Sequence, residues 1–149
     1  MTDYHSEVFD LLEDTSRQYL EVDCGLGAFI PSLVQRKGHK KPIVINPANF
    51  EILRDMLVYA RNLDINKWVN NRLEILIRRA DIIMDPNVVD FINLPLQEAV
   101  GKYPRILGVA NVVVDNFGPG YYHDNKESQP IATLERKLLR SNGILINGL

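Results

Sequence analysis

Apolar positions along this chain switch between two periods. "YLEV" (Tyr19–Val22) and "PIVIN" (residues 42–46) are short apolar runs, the form of strands buried in a sheet covered on both faces. Between them, residues 28–36 predict a helix, with Pro31 in the first turn, where a missing N–H is tolerated. Phe50–Asn62 carries the strongest helical signature, because Phe50, Leu53, Leu57 and Ala60 recur at i, i+3, i+7 and i+10. Residues 6–12 predict a short helix capped by Ser6, with Val8, Leu11 and Leu12 on one face. Residues 73–78 predict a third strand, although the same letters, "RLEILIRRA", also suit a helix. Asp85-Pro86 reads as a cap and first helical position, and residues 87–100 as helical in part, interrupted by Pro95. "RILGVANVVVDN" holds a further buried strand ending near Asp115, followed by the polar loop "NFGPGYYHDNKE". Residues 130–140 predict a helix with Ile131, Leu134 and Leu138 inward. Asn142-Gly143 stops it, and "GILIN" begins a last strand.

About five strands alternating with helices predict an α/β open sheet of mainly parallel strands, with helices on both faces. The 149 residues predict one domain over 1–149, long enough to bury a core without metal or disulfide staples. A net charge of −2 argues against duplex nucleic acid as a partner, despite the basic cluster at residues 36–41 and the pair Arg78-Arg79. Cys24 is the only cysteine, so an internal disulfide is excluded. No run approaches the ~20 apolar residues of a membrane helix, and the acidic first residues lack the form of a signal peptide. A cytoplasmic protein without membrane partners is expected. His5, His39 and His123 have no metal-ligand spacing, and no metal is expected.

The candidate chemistry sits where the first strand meets Gly25 and Gly27. Such a turn lets a ligand approach the backbone, and the following helix offers free N–H groups to an anion. A second strand closing on an acid would hold ribose hydroxyls. The third glycine of a dinucleotide fingerprint is Ile30 here, and no phosphate-loop lysine follows, so nicotinamide binding is the weaker reading.

"YLEVDCGLGAF" resembles the first motif of class I S-adenosylmethionine-dependent methyltransferases, acid-x-Gly-x-Gly-x-Gly. Glu21 matches the acid, Asp23 stands at the first glycine, and Gly25 and Gly27 match the other two. "IVINPANFEILRDMLVYARNL" resembles the second motif, with Asn46 in place of the ribose-binding acid. Asn46 followed by Pro47 also reads as an N-cap and first helical position. "RLEILIRRADIIM" resembles the third, which implies that Asp81 lies by the adenine amine. "NVVVDNFGPG" fits the strand that borders methyl transfer, and "LERKLLRSNGILIN" the helix, turn and fifth strand. The resemblance covers roughly residues 7–147. It implies a Rossmann-like sheet in the order 3-2-1-4-5, without the family's final antiparallel strand pair. An uncovered edge strand, "GILIN", would offer pairing to another copy.

The resemblance implies S-adenosylmethionine bound across Glu21, Asp23, Gly25, Gly27, Asn46 and Asp81. Asp115 or His123 would relieve an acceptor of its proton, and Tyr121 and Tyr122 would help form the acceptor site. The acceptor is not legible in the sequence. Two departures weigh against catalysis. Asp23 places a charge near the cofactor's carboxylate, and Asn46 loses a charge-assisted bond typically worth ~1.5–3 kcal/mol. A methyltransferase and a degenerate, non-catalytic interaction module both remain open. Cys24, with no acid or histidine patterned around it, reads as a small buried residue rather than a nucleophile.

Overall fold

Tyr19–Val22 (β1) is the central strand, and all four of its side chains are buried. Alternate residues face opposite sides of a strand. Leu20 and Val22 enter one apolar core and Tyr19 the other. The computed structural model describes residues 14–36, 38–63, 65–115 and 125–147. It pairs β1 in parallel with Ile43–Ile45 (β2) on one side and Ala110–Asp115 (β4) on the other. Asp90–Ile92 (β3) lies outside β2, and Leu139–Asn147 (β5) outside β4. The sheet is therefore parallel throughout, in the order β3-β2-β1-β4-β5, a Rossmann-like arrangement as expected.

Helices cover both faces. Phe29–Val34 (α1), Phe50–Asn62 (α2) and Lys67–Met84 (α3) contribute Ile30, Leu33, Phe50, Ala80 and Ile83 to the core around Tyr19, Val44, Val112 and Val114. Leu96–Lys102 (α4), a 3-10 turn at Pro104–Ile106 and Asn125–Leu138 (α5) cover Leu20, Ile45 and Val113 on the other face. Pro31 falls in the first turn of α1, where its ring displaces no helical hydrogen bond.

Four local expectations are corrected. Residues 73–78 form no strand; they lie within α3, and Ile77, Ala80 and Ile83 are its buried stripe at helical spacing. The third strand is instead "DFI", Asp90–Ile92, inside the stretch expected to be helical in part. Asp85 caps the end of α3 rather than the start of a helix, and its carboxylate accepts the Asn87 N–H at 2.9 Å. Asn49, not Asn46, caps α2, accepting the Ile52 N–H at 3.0 Å.

The last helix ends at Leu138, ahead of Asn142-Gly143. Those two residues form a bulge: Ala110 pairs with Leu139, but Val112 pairs with Ile144, and Asn142 takes a φ of 66°. No helix among the described residues is long and apolar enough to cross a membrane. The expected helix at 6–12 and the loop residues 116–124, including Tyr121, Tyr122 and His123, lie outside the described residues.

Candidate functional site

The strand order reverses between β1 and β4, so the sheet opens a crevice at their carboxyl ends, where ligands bind in open α/β sheets. The glycine turn lies there. Asp23 donates its N–H to the Ile45 carbonyl at 2.8 Å, tying the turn to β2. Asp23 and Gly25 both have φ of 50°, the left-handed region that glycine enters freely and aspartate at a cost. The two glycines differ in what they serve. A side chain at Gly25 would meet no atom within 4 Å, so its backbone is open on that side. A Cβ at Gly27 would stand 2.8 Å from the Cys24 carbonyl, which already accepts the Gly27 N–H at 2.9 Å. Gly27 is thus demanded by the turn itself. Arg79 of α3 fastens the same turn through the Leu26 carbonyl at 3.0 Å.

Glu21 lies under this turn. It is fully buried, and its Oε1 is 3.7 Å from where a Gly27 Cβ would be. The Ile30 N–H of α1 favours its charge only in part, and neither carboxylate oxygen completes a hydrogen bond. Burial therefore pushes its pKa up to about 8. The same burial, and then the Glu21 charge, raise the Cys24 thiol far above its ordinary range, so Cys24 stays a neutral thiol.

Three further acids converge beside β4. Asp23 is half-buried, and burial followed by the nearby Asp115 charge raises its pKa to about 6. Asp115, fully buried at the end of β4, lies against Glu135 of α5, which is equally buried. Neither Glu135 oxygen meets an N–H or O–H donor. Burial, the Asp115 charge and a carboxyl–carboxyl contact push Glu135 up to about 8. Glu135 therefore keeps its proton through the neutral range. Sequence reasoning named Asp115 but missed Glu135. The available signal was an acid set in the apolar stripe of Ile131, Leu134 and Leu138.

The second-motif position is occupied differently from a ribose-binding acid. Asn46 is buried, its Oδ1 accepts the Ala48 N–H at 2.8 Å, and its Nδ2 reaches the Cys24 sulfur at 3.8 Å. Asn93, just past β3, donates to the carbonyls of Asn46 at 2.9 Å and Ala48 at 2.8 Å. Beyond these strand ends lies a hollow of about 290 Å³, lined by Asn49, Phe50, Glu51, Met84, Phe91 and Asn93. Asp81, expected at the end of the third strand, is instead on α3, half-exposed and paired with Arg54 at 2.5 Å.

The structure thus brings Glu21, Asp23, Gly25, Gly27, Asn46 and Asp115 to the strand ends, adds Glu135 and Asn93, and sets Asp81 on a helix away from any strand end. Among the described residues, no three His, Cys, Asp or Glu side chains gather so as to hold a metal ion. Compared with known proteins, the chain matches no family model and no curated protein sequence.

Proposed function

We propose that the chain binds an adenosyl cofactor of the S-adenosylmethionine type at the carboxyl ends of β1, β2 and β3 and works as a methyltransferase. The observation that carries this reading is Glu21, a fully buried carboxyl that completes no hydrogen bond and has only the Ile30 N–H near it, under a glycine turn at the point where the strand order reverses. A buried acid so poorly supplied with donors is costly to ionise, and a ligand bearing N–H groups or positive charge would offset that cost. Such a cofactor, when bound, supplies a methyl group on a positively charged sulfur. Gly25 leaves its backbone open to a ligand, and Asn49, Glu51 and Asn93 line the hollow that would take the adenosyl end. Asn93 then takes the place that the resemblance gave to Asp81. Glu135, beside Asp115, keeps its proton to about pH 8 and, once that proton is lost, is a base that accepts the proton of an acceptor group.

A second reading, a non-catalytic module, is favoured by one observation. Asn46 spends its amide within the protein, where a ribose-binding carboxylate would face outward. Calorimetric titration with S-adenosylmethionine, S-adenosylhomocysteine and NAD separates the two. Micromolar binding of the first two supports the enzyme; no heat at millimolar ligand leaves the module. The pair Asp23→Gly with Asn46→Asp should tighten binding by one to two decades if the site is a weakened one. No gain from the pair would place the cofactor elsewhere.

A further inference from the structure

The helical hairpin α2–α3 leaves much of its apolar surface uncovered. Arg54–Asp81 at 2.5 Å and Arg61–Glu74 at 2.6 Å pin the two helices side by side. With 100° per residue, Arg54 and Arg61 mark the side of α2 that faces α3. Ile52, Met56, Tyr59 and Leu63 then form a stripe on the far side of α2, and they stand 59, 64, 69 and 57% exposed. A groove runs along this stripe between Ile52, Asp55, Met56, Tyr59 and Ala60. Ile65 and Trp68 extend the apolar surface around the tip of the hairpin, Trp68 being 69% exposed. Among the described residues, every exposed large apolar side chain except Leu107 and Ile144 is on this hairpin.

We infer that this face is the interface of a two-fold dimer, with α2 of one copy antiparallel to α2 of the other. Two observations select a second copy as the occupant. The first is area. Aromatic side chains carry ~150–250 Å² each, so the exposed parts of Tyr59, Trp68 and the four aliphatic residues amount to on the order of 700 Å², near the ~800 Å² per partner of a standard interface. The second is charge. The start of the stripe is net acidic, with Glu51 and Asp55 exposed and Arg54 already paired with Asp81, and the tip of the hairpin is net basic, with Lys67 and Arg72 against the single acid Asp64 of the connecting sequence. A two-fold axis between Met56 and Tyr59 brings the acidic start of one copy toward the basic tip of its partner, while Ile52 meets the partner's Leu63. A parallel pairing would set like charges together.

Sedimentation velocity on the full chain from about 1 to about 200 µM tests this. The chain should sediment at twice its monomer mass. Met56→Glu and Tyr59→Glu should each raise the dissociation constant roughly thirtyfold or more, as central interface residues do. Both positions are exposed in the single chain, so circular dichroism should stay unchanged. Ile144→Lys on β5 is the competing arm and should leave the dimer intact. A monomer at the highest concentration would overturn the proposal. So would a dimer indifferent to both α2 substitutions, or one lost through Ile144→Lys alone.

Discussion

Glu21→Gln isolates the cost of one buried acid. The folded carboxyl titrates at about 8 against an ordinary value of 4.5, with burial the main cause. Below pH 4.5 the carboxyl is protonated in folded and unfolded chains alike, and it carries no penalty. As pH rises from 4.5 towards 8, the unfolded chain releases this proton while the folded chain keeps it, so stability falls. Above about 8 both states are ionised and the loss is complete. At 1.36 kcal/mol per pKa unit, this amounts to roughly 5 kcal/mol, a large part of a typical domain's ~5–15 kcal/mol.

Glutamine keeps the shape and removes the charge. The assay is urea unfolding of both proteins at intervals from about pH 4 to 9, reading the difference in stability between them. The glutamine amide has its own burial cost, which is constant with pH, so the slope of the difference carries the information. That slope should approach about 1.4 kcal/mol per pH unit between the two titrations, in favour of the variant. A difference that stays flat across this range would refute the reasoning, because it would mean that the Glu21 charge is already satisfied in the folded chain. If an adenosyl ligand brings donors to Glu21, saturating S-adenosylmethionine should shrink the variant's advantage at alkaline pH.

Asp23→Gly should raise thermal stability by about 1–2 kcal/mol, since glycine accepts the left-handed φ that aspartate resists; a loss would reveal a contact made by the Asp23 side chain. The gain should be larger above pH 6, where Asp23 is charged beside Asp115, than in acid. Gly27→Ala should cost roughly 2 kcal/mol or more by chemical denaturation, because the added carbon meets a backbone oxygen that cannot move aside; a neutral result would mean a looser turn. Asp81→Ala should cost at most ~1 kcal/mol, as a half-exposed ion pair, and leave the S-adenosylmethionine titration unchanged; weakened binding would return Asp81 to the site. Glu135→Gln should remove a further fall in stability between pH 4.5 and about 8 and, where methyl transfer is measured, slow it about 100-fold or more.

The strand order and the position of the crevice were legible because they depend on β1, β2 and β4, whose apolar runs are strong and whose flanking helices are periodic. Strand three was not. "DFI" is three residues with Asp90 at one end and Asn93 beyond the other, too short to show a period, whereas "LEILI" in α3 is apolar enough to imitate a buried strand. The sheet order survives this error because a right-handed crossover from β2 places the next strand outside it wherever in the segment that strand begins. Asp81 failed with the strand that was meant to carry it. Asn46 reads from the sequence as the cap of the next helix, but Asn-Pro-Ala-Asn offers two asparagines for one cap: Asn49 takes it, and Asn46 accepts from Ala48 instead.

The acids at the strand ends were visible one at a time; their convergence was not. Asp115 ends β4 with its neighbours Val112 and Val114 turned to one face and Val113 to the other, so it shares the face of Val113, where α5 lies. Glu135 projects from α5 toward the same point. Glu21, two residues before Asp23, shares the opposite face with α1. The crevice is therefore flanked by a buried acid on one side of the sheet and by the buried pair Asp115 and Glu135 on the other, with Asp23 beside that pair. Buried like charges lower the stability of a fold unless a ligand answers them. Among the described residues the two cores that flank the sheet are otherwise built of apolar side chains. A local breach of that pattern at the one place where open sheets bind ligands is most simply explained by binding. A ligand group that would draw these carboxyls into their charged form below about pH 8 is cationic or rich in N–H donors.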